Sequence, residues 1–480
     1  MKPAPTMKNL TTEIPKMQYR IEKDSLGEVK VPIDAYYGAQ TQRAVENFPI
    51  SGIKAHERYI WASMQAKKAA CVTNRDLGLI PNDQADAIIQ ACDEIISGKY
   101  RDQFVVDIFQ AGAGTSHNMN CNEVLANRAN EILGLPKGEY KPVHPNDTVN
   151  MSQSTNDFIP TAIRISGLQL SYELIASLEV FEKHLKAKAD EFDNIIKSAR
   201  THLQDAVPIR LGQEFSGYAH IINKHVGWIR LAANELGEIG FGGSAAGTGL
   251  NCHPDYRFNV ARNLAKQTGF NIRPAKNFFE AMQSMGPVTA LSGAVRNLAQ
   301  DLSRIANDIR LMGSGPKTGL AELILPSRQP GSSIMPGKVN PVMAEMLNMV
   351  CFDVIGNDTA ILWSSGAGQL DLNVMMPLIA YKLPLSLTSL KNGIQAFDKF
   401  CLEGLKADEE RCRMYAEASA SVVTALNPVI GYMKAAEVVK RSYAENKTVR
   451  QILLEEKLLP EAKLDEILNL SKLTEPGIHQ

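Results

Sequence analysis

The sequence predicts an all-α chain organised around long helices, and three observations carry that prediction. In PVTALSGAVRNLAQDLSRIANDIRLM, apolar residues fall at Leu291, Val295, Leu298, Leu302, Ile305, Ile309 and Met312. Their steps alternate four and three, the spacing of a coiled-coil-like seam. Leu174, Leu178, Phe181, Leu185 and Phe192 repeat that spacing, with Lys188 interrupting it. The segment VMAEMLNMVCFDVIGNDTAILW is apolar on nearly every face, which predicts burial on all sides. One chain with a few long helices cannot easily surround such an element, so burial inside an oligomer is the economical reading. A monomeric all-α domain is the alternative, because apolar seams show only that partner helices exist.

Taken in order, the chain divides into three regions, in line with its 480 residues and roughly 150 residues per domain. Residues 1–155 read as a mixed helical domain, preceded at 1–18 by a flexible arm that carries Pro3, Pro5 and Pro15. Its shorter helical segments alternate with loops such as LPKGEYKPVHPND. Residues 156–407 hold the seams and form the central long-helix domain. Beyond 408 the seams shorten, and KADEERCRMYAEAS through LSKLTEPGIHQ reads as a small helical C-terminal domain. Strand signals are sparse, and there is no internal repeat or low-complexity tract.

Composition narrows the function classes. A formal net charge of −1 with scattered basic residues gives no pull toward nucleic acid or a membrane surface. No apolar run approaches the ~18 residues that nominate a membrane span, and the N-terminus lacks the apolar core of a signal peptide. Seven widely spaced cysteines without a C-x-x-C pair fit a reducing compartment, so the expected location is cytoplasmic. No zinc motif is present, GSGPKTG at 313–319 lacks the G-K-[ST] ending of a phosphate loop, and no cofactor or metal is expected.

Four hydroxyl- and amide-rich clusters remain, each read as lying near the start of a helix: GTSHNMNCNE (114–123), SQSTND (152–157), THLQD (201–205) and GSSIMPGKVNP (331–341). Any one of them alone is explained as a helix cap. The fourth asks for more. Gly331, Pro336 and Gly337 shape the backbone around Ser332 and Ser333, and Pro341 suits the first position of the following helix. Lys338 and Asn340 then stand at a helix N-terminus, where free N–H groups and the dipole favour an anion. If the clusters converge, they form a pocket for a small, multiply anionic molecule.

GSSIMPGKVNP closely resembles the signature loop of the aspartase/fumarase superfamily. GAGTSHNMNCNEV, HPNDTVNMSQSTND, RTHLQDAVPIRLGQEF and GTGLN resemble further motifs of that family, in the expected order, and the resemblance runs from about Tyr19 to the C-terminus. It implies a three-domain helical lyase whose central bundle is shared across a homotetramer, with each active site assembled from three subunits. It implies cleavage of a C–N or C–O bond of a succinyl compound, releasing fumarate without an organic cofactor.

Carried onto this chain, the resemblance makes Ser332 the base that removes a proton from C3. A serine needs a stabilised alkoxide for that role. Thr115, Ser154, Thr155 and Ser333 resemble carboxylate-binding donors, which would stabilise the doubly charged aci-carboxylate. Lys338 and Asn340 resemble the anchor of the other carboxylate. Asn156 and His202, with Thr201 beside them, resemble residues near the leaving group, and Glu345 resembles the acidic partner that orients the histidine.

GAGTS and STND resemble the aspartase branch, which implies L-aspartate, fumarate and ammonia as small-molecule partners. The alternatives are a fumarase acting on L-malate and a catalytically silent structural member. Met376 stands where aspartases usually carry Glu and fumarases Lys, and His117 where aspartases usually have an aliphatic residue.

Overall fold

The computed structural model describes residues 18–478, so the arm expected at 1–18 lies, except for Gln18, outside the described residues. Among the described residues helices dominate, and the strands form four two-stranded sheets. The chain resolves into two compact units. One takes in the chain up to Leu168 with Glu235–Val288 and Ala360–Pro384; the other takes in Gln169–Asn234, Thr289–Thr359 and the chain from Leu385 onward. The boundaries fall inside long helices rather than in linkers.

In the first unit an antiparallel hairpin, Tyr19–Asp24 with Gly27–Pro32, precedes a helical layer. Helix Glu57–Asp76 packs on Asn82–Ile96 and on Tyr256–Thr268, and Asn82–Ile96 packs on Thr115–Ile132. Ala62, Ala66, Ala69 and Ala70 are buried along Glu57–Asp76, and such small side chains let neighbouring helices approach closely.

The second unit is a bundle in which both predicted seams are buried. Leu291, Val295, Leu298, Leu302, Ile305, Ile309 and Met312 all lie inside, as do Leu174, Leu178, Phe181, Leu185 and Phe192. Lys188 fits its seam by holding Nζ 5.3 Å from the centre of the Phe192 ring, where it donates to Leu405 O at 2.7 Å and to Glu191 at 2.8 Å. Polar pairs set the register between helices. Ser303 Oγ donates to Asn348 Oδ1 at 2.8 Å, Lys391 Nζ to Glu173 at 2.7 Å, and His225 Nε2 meets Asp301 at 2.8 Å. Residues beyond 419 enclose a cluster of their own, with Leu426, Val438, Ile452, Leu453 and Leu464 at its centre.

Helix Val342–Gly366 is not enclosed within one chain. Met349, Phe352, Leu362 and Trp363 are exposed, and Trp363 reaches 78 %. Their spacing lays them along one side of the helix.

All seven cysteines are free; six are buried and Cys252 is partly so. Burial pushes the thiols of Cys71, Cys121, Cys351, Cys401 and Cys412 up to about 12, and that of Cys252 up to about 11. No helix among the described residues is long and apolar enough to cross a membrane.

Candidate active site

The 331–340 loop is closed by its own backbone. Gly331 N–H donates to Lys338 O at 2.8 Å, and Asn340 Nδ2 donates to Gly331 O at 2.7 Å. A Cβ at Gly331 would lie 2.6 Å from Lys338 O, so only glycine permits this closure, and Gly337 supplies a left-handed turn at φ 81°. Inside the loop Ser332 Oγ accepts from Ile334 N–H at 3.2 Å and from Met335 N–H at 2.9 Å. Two donors on one hydroxyl oxygen favour its deprotonated form. A concavity of about 480 Å³ is lined by Arg328, Ser332, Pro336 and Lys338, among others. Ser333 and Lys338 are exposed. Pro341 lies one residue outside helix Val342–Gly366, where its carbonyl accepts from Ala344 and Glu345 N–H. It caps the helix rather than occupying its first turn, and Glu345, half-buried, sits in that turn.

THLQD is not at a helix start. Strands Ile196–Thr201 and Gln204–Arg210 pair antiparallel with Thr201 opposite Gln204, so His202 and Leu203 form a two-residue turn. Both have positive φ, 57° and 58°. That is the geometry whose twist matches a hairpin, and it overrides the capping preference of the polar residues. Thr201 and His202 are exposed at the tip. Below it Arg200 pairs with the fully buried Glu322 at 2.8 Å, and Lys197 pairs with the same carboxylate at 3.1 Å. Among the described residues no hydrogen bond or ion pair joins His202 to Glu345.

The remaining predicted residues lie in the first unit. Thr115 opens helix Thr115–Ile132 after Gly114, whose φ of 88° favours glycine and where a Cβ would stand only 3.0 Å from the Ile159 side chain. Ser154 precedes helix Thr155–Glu191, and its Oγ accepts from Asn156 N–H at 3.2 Å. Asn156 Nδ2 donates to Ala245 O at 2.8 Å, which leaves Oδ1 as the free end of that amide. Thr155 Oγ1 accepts from Asn118 Nδ2 at 3.0 Å.

Two charged residues absent from the sequence-based assignment sit beside these donors. Asp157 is fully buried and accepts from the N–H groups of Ser154, Gly242 and Ser244 at 2.9–3.0 Å. Burial pushes its carboxyl up to about 7 against those donors. Lys67 is buried with Nζ among Asn118 Oδ1, Asn150 Oδ1 and Gln153 Oε1 at 2.8, 3.1 and 2.9 Å, over the Phe158 ring. Burial pulls its ammonium down to about 7. Its signal in the sequence is positional: Ile60, Met64, Lys67 and Cys71 step by four, three and four, so Lys67 occupies an apolar seam.

The two flagged positions are both internal. Met376 is fully buried at the start of helix Met376–Phe397. His117 stacks on Tyr59 and meets Ser63 Oγ at 3.0 Å through Nε2; burial pulls its imidazole down to about 3. Among the described residues no group of His, Cys, Asp or Glu is arranged to hold a metal ion.

The family model described as Lyase matches residues 27–356, and that described as Fumarase C C-terminus matches 422–475. The chain belongs to this lyase family, the aspartase/fumarase superfamily. It is 49% identical over 461 residues to an aspartate ammonia-lyase of Bacillus subtilis (strain 168), covering 96% of this chain and 97% of that one. It is also 49% identical over 461 residues to a class II fumarate hydratase of Halobacterium salinarum, covering 96% and 98%. Among solved structures, the class II fumarase of Schistosoma mansoni matches with a TM-score of 0.93 at 37% identity, covering 95% of this chain and 99% of that one. The fumarate lyase:delta crystallin of Brucella melitensis bound to cobalt matches with 0.92 at 44%, covering 96% and 100%.

Proposed function

We propose that this protein is an aspartate ammonia-lyase that eliminates ammonia from L-aspartate, reversibly, to give fumarate. Ser332 acts as the base: its oxygen takes the C3 proton, the electron pair moves into the adjacent carboxylate as an aci-carboxylate, and the C–N bond then breaks. The observation that carries this reading is the pair of backbone N–H groups on Ser332 Oγ, which support the alkoxide such a base requires. Thr115, Ser154, Thr155 and Ser333 donate to the carboxylate on which charge develops. Lys338 and Asn340 hold the second carboxylate. His202, oriented by Glu345, and Asn156 with Thr201 serve the leaving group.

The choice of substrate rests on Asn156. An ammonium only donates, and the Asn156 amide has committed its NH2 to Ala245 O, leaving its oxygen to accept. Fumarate hydration is the second reading, favoured by the equal 49% identity to the Halobacterium salinarum enzyme. An assay panel of L-aspartate, L-malate, argininosuccinate and adenylosuccinate decides between them. L-aspartate is expected to yield fumarate, with L-malate on the order of a hundredfold poorer, as for a site with mismatched polar groups. Comparable turnover of L-malate would overturn the aspartase reading.

The same reading takes the working form as a homotetramer with three subunits contributing to each site. The exposed stripe Met349, Phe352, Leu362 and Trp363 supports it, as does a hairpin tip that leaves His202 in solvent on a single chain. Mixing inactive Ser332→Ala and His202→Ala chains should regenerate activity after co-refolding. Mixed tetramers without recovery would count against shared sites.

A further inference from the structure

The amide network around Lys67 has a direction fixed by groups whose polarity is not adjustable. Gln153 Nε2 donates to two backbone carbonyls, Val149 O at 2.9 Å and Met151 O at 3.2 Å, so its Oε1 must be the atom that faces Lys67. Asn150 Nδ2 donates to Gln153 O at 3.2 Å, so its Oδ1 faces Lys67 as well. Asn118 stands against that same Asn150 oxygen at 3.2 Å and must present its NH2 there, which leaves Oδ1 for Lys67 at 2.8 Å. Backbone carbonyls accept only, so no amide in the chain is free to flip. In its ammonium form Nζ completes the network by supplying an N–H to each of three oxygens.

The consequence falls on Thr155. The Asn118 NH2, pinned between Lys67 and Asn150, also donates to Thr155 Oγ1 at 3.0 Å. A hydroxyl that already accepts from that side turns its own hydrogen away, and the Thr155 O–H has no acceptor among the described residues. We propose that Lys67 is a positioning residue which, through Asn118, locks the Thr155 hydroxyl as an outward hydrogen-bond donor to the substrate carboxylate. The inference rests on the assignment of Thr155 to carboxylate binding. It explains why a lysine is buried at a seam position among neutral amides: an apolar side chain there would leave Asn118 Oδ1 without its donor and the amide held by Asn150 alone, with the Thr155 hydrogen freer to turn inward.

A double-mutant cycle on the full-length enzyme tests this, with kcat/KM for L-aspartate as the readout. Thr155→Val is expected to lower kcat/KM at least tenfold. Asn118→Asp, which offers Thr155 an acceptor in place of a donor, should do the same, with Asn118→Ala intermediate. In the Thr155→Val background both Asn118 substitutions should cost less than about twofold, because the hydroxyl they orient is gone. Lys67→Met should follow the same pattern; should that chain fail to fold, the Asn118 series decides alone. Full activity of Thr155→Val would overturn the assignment of Thr155, and the inference with it. A deficient Thr155→Val beside a fully active Asn118→Asp, or losses that multiply in the double variants, would overturn the positioning role alone.

Discussion

In the 331–340 loop the backbone holds the functional group, whereas around Lys67 side chains do. Ser332 receives two main-chain N–H groups, and its loop is closed by Gly331 and Asn340 on a surface open to solvent. Thr155 is held by a chain of amides that ends on a buried ammonium. A backbone-held oxygen keeps its surroundings when its neighbours change, so the loop can stay exposed. A side-chain network depends on every member and on dryness, because each of its hydrogen bonds gains strength from exclusion of water. Substitutions in the loop should therefore strike activity and spare stability, while substitutions near Lys67 should strike both.

The largest effect expected is at Ser332. Ser332→Ala should remove turnover by several orders of magnitude and leave the melting temperature within a degree or two. Near-normal kcat would dissolve the contrast, since the loop would then hold nothing of consequence. Lys338→Ala comes next. Loss of a charge-assisted anchor to a desolvated carboxylate costs about 2–5 kcal/mol of transition-state binding. A fall in kcat/KM below tenfold would place Lys338 outside the site.

His117, on the buried side of the comparison, is expected to change stability and its pH dependence. Its imidazole titrates near 6.5 when unfolded and is pulled down to about 3 by burial. Between those values the unfolded chain binds the extra proton, so stability is lost as pH falls through that window. By pH 4.5 the loss is about 2–3 kcal/mol. His117→Leu removes this term, so its stability relative to the parent in urea should improve by that amount between pH 7.5 and pH 4.5. A difference independent of pH would contradict the assignment. The smallest effect belongs to Gly331→Ala. A Cβ 2.6 Å from Lys338 O must shift the loop. A kcat/KM lowered about tenfold at unchanged melting temperature is expected, and full activity would show the closure to be dispensable.

The same contrast explains what was legible in the sequence. The seams from Leu291 to Met312 and from Leu174 to Phe192 announce themselves by spacing, and both are buried. The loop announces itself because glycines, prolines and serines must be contiguous to build it. The hairpin at 201–205 is not legible because Thr and Asp cap helices as readily as they form turns, and only pairing across the hairpin decides. Lys67 was obscured by its neighbour. Lys68 is adjacent in sequence, but successive helical positions point about 100° apart. Lys68 reaches Asp93 at the surface while Lys67 turns inward. Lys188 shows that a lysine in a seam can also extend to an exit, so the seam position alone does not tell a buried charge from one that escapes.

The buried thiols give the molecule a reporter of its own motions. A thiol held up to about 12 and shielded from solvent reacts with an alkylating reagent only when the segment around it opens. Cys71 and Cys121 sit in the first unit, and Cys351, Cys401 and Cys412 in the second. Mass-resolved labelling over time would therefore read the opening free energy separately at each position, with Cys252 as the fast internal standard, and without a single engineered probe.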